Sequence, residues 1–182
     1  VEGIDFSFDF SLLENIHSSV SFSASLDQAR PVLNSLLFNI SSSDLEVVAT
    51  DGFRLCILTQ KSNLVASDSL SLIIPQKSIA ELVRIGKQAS AATASLCYSL
   101  EQQQLLCSYG NVSIYVRLIE GSFPPYEKII PAELESEAVI AGDEMTLALK
   151  QSAIFSRDVS DVVSLIFTEE HVTVSANSSS LG

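Results

Sequence analysis

Tryptophan is absent from this 182-residue chain, methionine occurs once, and its two histidines, His17 and His171, lie far apart. Each His reads as a lone surface side chain rather than a general base or ligand. No P-loop, G-x-G-x-x-G, H-E-x-x-H or G-x-S-x-G pattern occurs. The acids show no metal-ligand spacing. Asp51 before Gly52 is first a turn residue, and Glu169-Glu170 sits where a hairpin turn is expected. No catalytic residue, metal or cofactor is expected.

Cysteine is scarce too. Cys56, Cys97 and Cys107 are odd in number, form no C-x-x-C pair and sit in apolar, strand-like runs. Buried reduced thiols of a cytoplasmic protein fit better than a disulfide framework or a zinc site. No apolar run approaches the ~20 residues of a membrane-spanning helix. The start, VEGIDFSFDF, lacks the basic segment of a signal peptide and reads as a strand, as though the chain began inside a longer protein. Positive charge is the scarcest resource: 10 Lys and Arg face 22 Asp and Glu, a net charge of −12. That opposes nucleic-acid binding by the average surface, though an acidic protein can still carry a basic face.

Apolar residues are plentiful, at 47%, enough for a substantial core. Helical periodicity is confined to three segments, about 12–22, 76–88 and 145–157. Ser11 and Glu14 offer a capping box before a stripe of Leu12, Ile16 and Val20. Pro75 precedes the second helix, whose apolar face is Ile79, Leu82, Val83 and Gly86. The third has Met145, Ala148, Leu149, Ser152 and Ala153 as its buried stripe. Strands are expected at 36–38, 45–49, 54–58, 69–74, 95–100, 105–108 and 112–119. This is an α+β pattern of antiparallel strands with few helices.

Three prolines and a glycine between Glu120 and Pro131 mark a domain boundary near 125–132. Beyond it the first pattern restarts: helix, Phe-Ser, then Leu165-Ile166-Phe167 echoing Leu36-Leu37-Phe38, then Val172-x-Val174-x-Ala176 echoing Leu45-x-Val47-x-Ala49. A weak internal repeat is the natural reading, with the second copy cut short. Charge follows the helices. Their windows hold five basic residues and two acids, Glu14 and Glu81, for +3; the remainder holds five and twenty, for −15. Helices gathered on one surface would make it basic in an acidic protein.

The run Leu33-Asn34-x-x-Leu37-Phe38, then Leu45-x-x-Val48-Ala49-Thr50-Asp51-Gly52-Phe53-Arg54-Leu55, closely resembles the middle domain of the bacterial sliding clamp family, the beta subunit of DNA polymerase III. Ile73-Ile74-Pro75-Gln76-Lys77 and Glu120-Gly121-x-Phe123-Pro124-x-Tyr126 are similar to the family in the same order. The resemblance implies a DNA-clamp fold, with antiparallel sheets outside and helices lining an inner face. It implies a complete middle domain over residues 1–128 and an incomplete third domain, first helix and hairpin only, over 129–182. A full-length relative would be a non-catalytic, head-to-tail homodimeric ring around double-stranded DNA. It would tether DNA polymerase, clamp loader and repair proteins through short peptide motifs held between the second and third domains.

Carried over by position, that peptide pocket would use Leu33, Thr50, Gly52, Phe53, Arg54, Leu55, Pro124, Lys128 and Ile129. The DNA-facing set would be Arg30, Lys77, Arg84, Lys87, Lys150 and Arg157. Phe53 stands where the family often has His, and Lys128 where Arg is common, which gives up a flat bidentate fork. With the first domain and the C-terminal tail missing, this chain alone is expected neither to encircle DNA nor to hold a complete pocket. Read from the residues alone, Leu33, Leu55 and Ile129 are ordinary core and Arg54 a solvated charge. An acidic, β-rich interaction module unrelated to DNA therefore stays open as an alternative.

Overall fold

Strand period and helix period alternate twice over in the first part of the chain. Its elements are β1 (Ile4–Asp9), α1 (Phe10–Ser19), a short 3-10 turn (Ser21–Ser23), β2 (Ser35–Ile40), β3 (Asp44–Thr50) and β4 (Leu55–Lys61). Then come β5 (Leu70–Pro75), α2 (Gln76–Gln88), β6 (Thr93–Ser99), β7 (Gln104–Tyr109) and β8 (Val112–Arg117). The computed structural model describes residues 4–61, 69–99, 101–156 and 162–176. It divides into two compact units, Val1–Ile129 and Ile130–Gly182.

Each half of the first unit runs β-α-β-β-β, and each lends its first strand to the other. The two antiparallel sheets have the orders β1-β6-β7-β8 and β4-β3-β2-β5. Ile4 of β1 lies opposite Tyr98 of β6, and Pro75 of β5 lies opposite Ser35 of β2. Alternate residues such as Leu36, Phe38, Leu45, Val47, Leu72, Leu96 and Leu105 point into one core with both helices. The other face of the β2-β3-β5 region is not bare: Leu37, Val48 and Ile73 form a second cluster with Tyr126.

Helix α2 starts and ends where its periodicity predicts. Helix α1 begins two residues early, so Ser11 lies inside it, and its first position has no side-chain cap. The expected capping box is therefore not formed, and the buried stripe is Phe10, Leu13 and Ile16, with Leu12 only half-buried. The two helices meet closely at Gly86, where a Cβ would lie 2.2 Å from the Phe10 ring. That ring in turn packs edge-on against Tyr109, with centroids 5.8 Å apart. Two other expectations need correcting. His17 is half-buried rather than a surface side chain, and among the cysteines only Cys107 is buried, Cys56 and Cys97 being half-exposed and outside any disulfide.

The second unit holds α3 (Gly142–Ser156) and an antiparallel hairpin of β9 (Val163–Phe167) and β10 (Val172–Ala176). Met145, Ala148, Ser152 and Ala153 are half-buried, while Leu149 is exposed. The helix-strand-strand order repeats that of α1, β2 and β3, but with a shift. Phe38 pairs with Val47, whereas Phe167 pairs with Val172 and not with the corresponding Val174. A two-residue step keeps every side chain on its original face, so a shorter loop is tolerated.

Replacing Gly86 by Ala should lower stability by about 1–2 kcal/mol, because overpacking against Phe10 outweighs the gain in helix propensity. Urea denaturation checks this: a variant as stable as the parent would mean that the Phe10 ring can move aside.

Candidate functional site

The turn between β3 and β4 is held by its own side chains. Thr50 Oγ1 accepts the Gly52 N–H at 3.1 Å and donates to the Arg54 carbonyl at 2.8 Å. Asp51 Oδ1 accepts the N–H groups of Phe53 and Arg54 at 2.9 and 3.0 Å. Its other oxygen pairs with Arg54 Nε at 2.9 Å. Gly52 has φ +96°, a conformation other residues rarely adopt. The backbone N–H groups of Phe53 and Arg54, then the Arg54 guanidinium, pull the Asp51 carboxyl down to about 2.

The consequence is a division of labour within the motif. Thr50 is buried, and its hydroxyl is used inside the turn rather than at a rim. Phe53 is 98% exposed. Arg54 lies over the Phe22 ring, 5.7 Å from its centroid, a cation–π arrangement. Sequence reasoning did not single out Phe22.

Leu55 reaches the apolar cluster on the outer face of the sheet. There Leu37, Val48, Ile73 and Tyr126 are joined by the half-buried Val32, Leu55, Ile119 and Phe123. The structure thus brings the turn and the proline-rich segment onto one surface. Ile119 N–H donates to the Ile73 carbonyl at 2.9 Å, which anchors that segment to β5. A 3-10 turn over Tyr126–Ile129 then carries Lys128 and Ile129, both exposed. Leu33 is half-buried and Pro124 exposed. A cleft of about 600 Å³ opens beside Asn39, Ser71, Ile73, Phe123 and Tyr126, but of the nine expected pocket residues it includes only Pro124. Val32, Phe123 and Tyr126, absent from the expected pocket set, belong to the same apolar cluster as Leu55. Consecutive apolar pairs, Val47-Val48 and Ile73-Ile74, were the available signal, since they mark strands covered on both faces.

The expected DNA-facing residues fall into two groups. Arg84 pairs with Glu81 at 2.7 Å, Lys87 with Glu14 at 3.1 Å, and Arg30 with Asp27 at 3.0 Å. Glu14 and Glu81 are the two acids of the helical windows, so much of the basic excess there is locally balanced. Lys77 and Lys150 are exposed and, among the described residues, have no carboxylate partner. Arg157 lies outside the described residues.

Residues 8–125 match the family model of the DNA polymerase III beta subunit, central domain. The beta sliding clamp of Chlamydia muridarum is 29% identical over 177 residues, covering 97% of this chain and 47% of that protein. The DNA polymerase III beta subunit of Thermotoga maritima superposes with a TM-score of 0.90 at 25% identity, over all of this chain and 48% of its own. A Pseudomonas aeruginosa sliding clamp solved bound to griselimycin gives 0.88 at 25%, over all of this chain and 50% of its own. The chain therefore spans about half the length of these relatives.

Asp51 stabilises the turn while ionised, from about pH 4 upward, and that contribution is lost as pH falls through about 2. The amide resonances of Phe53 and Arg54 should titrate together with a midpoint of about 2. A midpoint near the ordinary 3.8 would mean that the carboxylate does not accept them in solution.

Proposed function

Because the chain belongs to the DNA polymerase III beta subunit family, we propose that it is the central part of a DNA sliding clamp. In the whole protein, three such domains per subunit would close head to tail into a homodimeric ring around duplex DNA. Residues 1–128 would form the complete middle domain and 129–182 part of the third. A tether of this kind works by topology and needs no catalytic group. Its place is with the chromosome in the cytoplasm. The alternative of a β-rich module unrelated to DNA has no support among the relatives.

The observation that carries the partner-binding part is the shared apolar cluster. Leu55 from the turn and Phe123 from the proline-rich segment pack on the same outer sheet face. An extended peptide would lay apolar anchors across Leu33, Leu55, Pro124 and Ile129, with Arg54 and Lys128 at the rim. Gly52 and Thr50 would shape the turn that presents Phe53. The griselimycin complex of the related Pseudomonas clamp fits a family surface that accepts ligands.

On the DNA side, Lys77 and Lys150 would supply loose phosphate contacts, while Arg30, Arg84 and Lys87 are moderated by their acid partners. Few and weak contacts suit a ring that must slide rather than stop. Arg157 would join the same basic set.

A labelled Gln-Leu-x-Leu-Phe-type peptide titrated against this chain should bind saturably, and Leu55→Ala should weaken it by roughly tenfold or more, the scale of a truncated interface anchor. Equal binding by parent and variant would sink the pocket assignment. In the full-length ring, Lys77→Glu with Lys150→Glu should reduce DNA retention and its salt dependence together. Retention unchanged at low salt would remove these two lysines from the DNA face.

A further inference from the structure

A chain of side-chain hydrogen bonds crosses three adjacent strands of the first unit and leaves the sheet at one point. Asn39 on β2 stands opposite Glu46 on β3 and Ser71 on β5. Ser71 Oγ donates to Asn39 Oδ1 at 2.9 Å, and Asn39 Nδ2 donates to Glu46 Oε1 at 3.1 Å. Tyr126 Oη also donates to Glu46 Oε1, and Tyr126 alone of the four comes from outside the sheet. Its ring is buried on Leu37, Val48 and Ile73 and meets Phe123 edge-on, with centroids 6.4 Å apart. Burial, then the Glu46 carboxylate, then Glu127 push the phenol well above its ordinary range, so it stays a donor at every physiological pH.

We infer that Glu46 and Tyr126 form a latch that sets the position of the proline-rich wall of the peptide site. The inference rests on the pocket reading given above. Glu46, Val48 and Thr50 occupy alternate positions of β3, so the latch grips the same strand face that leads into the turn. On the other side, Tyr126 is rigidly coupled to its neighbours. Pro124 and Pro125 have fixed φ, Tyr126 N–H bonds the Pro124 carbonyl at 2.8 Å, and Lys128 N–H bonds the Pro125 carbonyl at 3.3 Å. Where the phenol is pinned, Pro124, Lys128 and Ile129 are placed with it. The latch therefore acts through position, not by touching the peptide.

Tyr126→Phe tests this, because it keeps the packed ring and removes only the hydroxyl, which donates to Glu46 and accepts from Asn39 Nδ2 at 3.5 Å. The peptide dissociation constant should rise roughly 3- to 10-fold, the scale of one lost hydrogen bond. Amide hydrogen exchange at Tyr126 and Lys128 should quicken, while the amides of β6 and β7 exchange as before. Glu46→Gln keeps an acceptor for the phenol and should bind near the parent value, whereas Glu46→Ala should resemble Tyr126→Phe. Unchanged affinity and unchanged exchange in Tyr126→Phe would overturn the latch. A full-length protein that does not bind the peptide would overturn the pocket reading instead, and the exchange comparison would still decide whether the latch holds the wall.

Discussion

The Phe10 ring lying on the bare backbone of Gly86 is the contact on which the first unit depends. Each helix follows directly from a strand that belongs to the opposite half's sheet: β1 runs into α1, and β5 into α2. The helices must therefore come close enough for both strands to reach across. A glycine at the crossing permits that approach, and Tyr109 closes the ring in from the sheet side. The strand exchange and the common core both depend on a helix pair packed this tightly.

With the inner faces committed to that core, the outer face of β4-β3-β2-β5 is where recognition chemistry can be placed. Hairpin β3-β4 ends in a turn whose polar groups satisfy one another, so the backbone is rigid without help from outside. What such a turn would offer to the proposed peptide is apolar: the Phe53 ring and the Leu55 side chain, with the Arg54 guanidinium spread over Phe22. In the proposed peptide site the proline-rich segment would supply the opposite wall at little entropic cost, since Pro124 and Pro125 have few conformations to lose. Rigidity on both sides is what a preformed groove needs.

Much of this was legible in the sequence because it rests on local signals. Helix α2 was marked by Pro75 and its apolar stripe, and the hairpins followed from alternation and from Asp51-Gly52. The α+β class and the family resemblance followed from the same residues. Helix α1 was misread at its start, because Ser11 and Glu14 imitate a cap while Phe10 begins the helix from strand β1. Contacts between residues distant in sequence were not legible at all. Nothing local in Glu46 announces a bond to Tyr126, and nothing in Phe22 announces Arg54. The repeat was seen across the two units but missed within the first. There the halves share an order of elements and an exchanged strand rather than a residue pattern.

That exchanged strand has a consequence for how the chain is made. β1 precedes its partner β6 by about 90 residues. At typical synthesis rates β1 waits roughly 5–20 s on the ribosome before β6 emerges. Hairpins β2-β3 and β3-β4 form from near neighbours and are ready long before that. Two acidic residues within its paired span, Asp5 and Asp9, give the waiting strand charge that discourages pairing with another nascent chain.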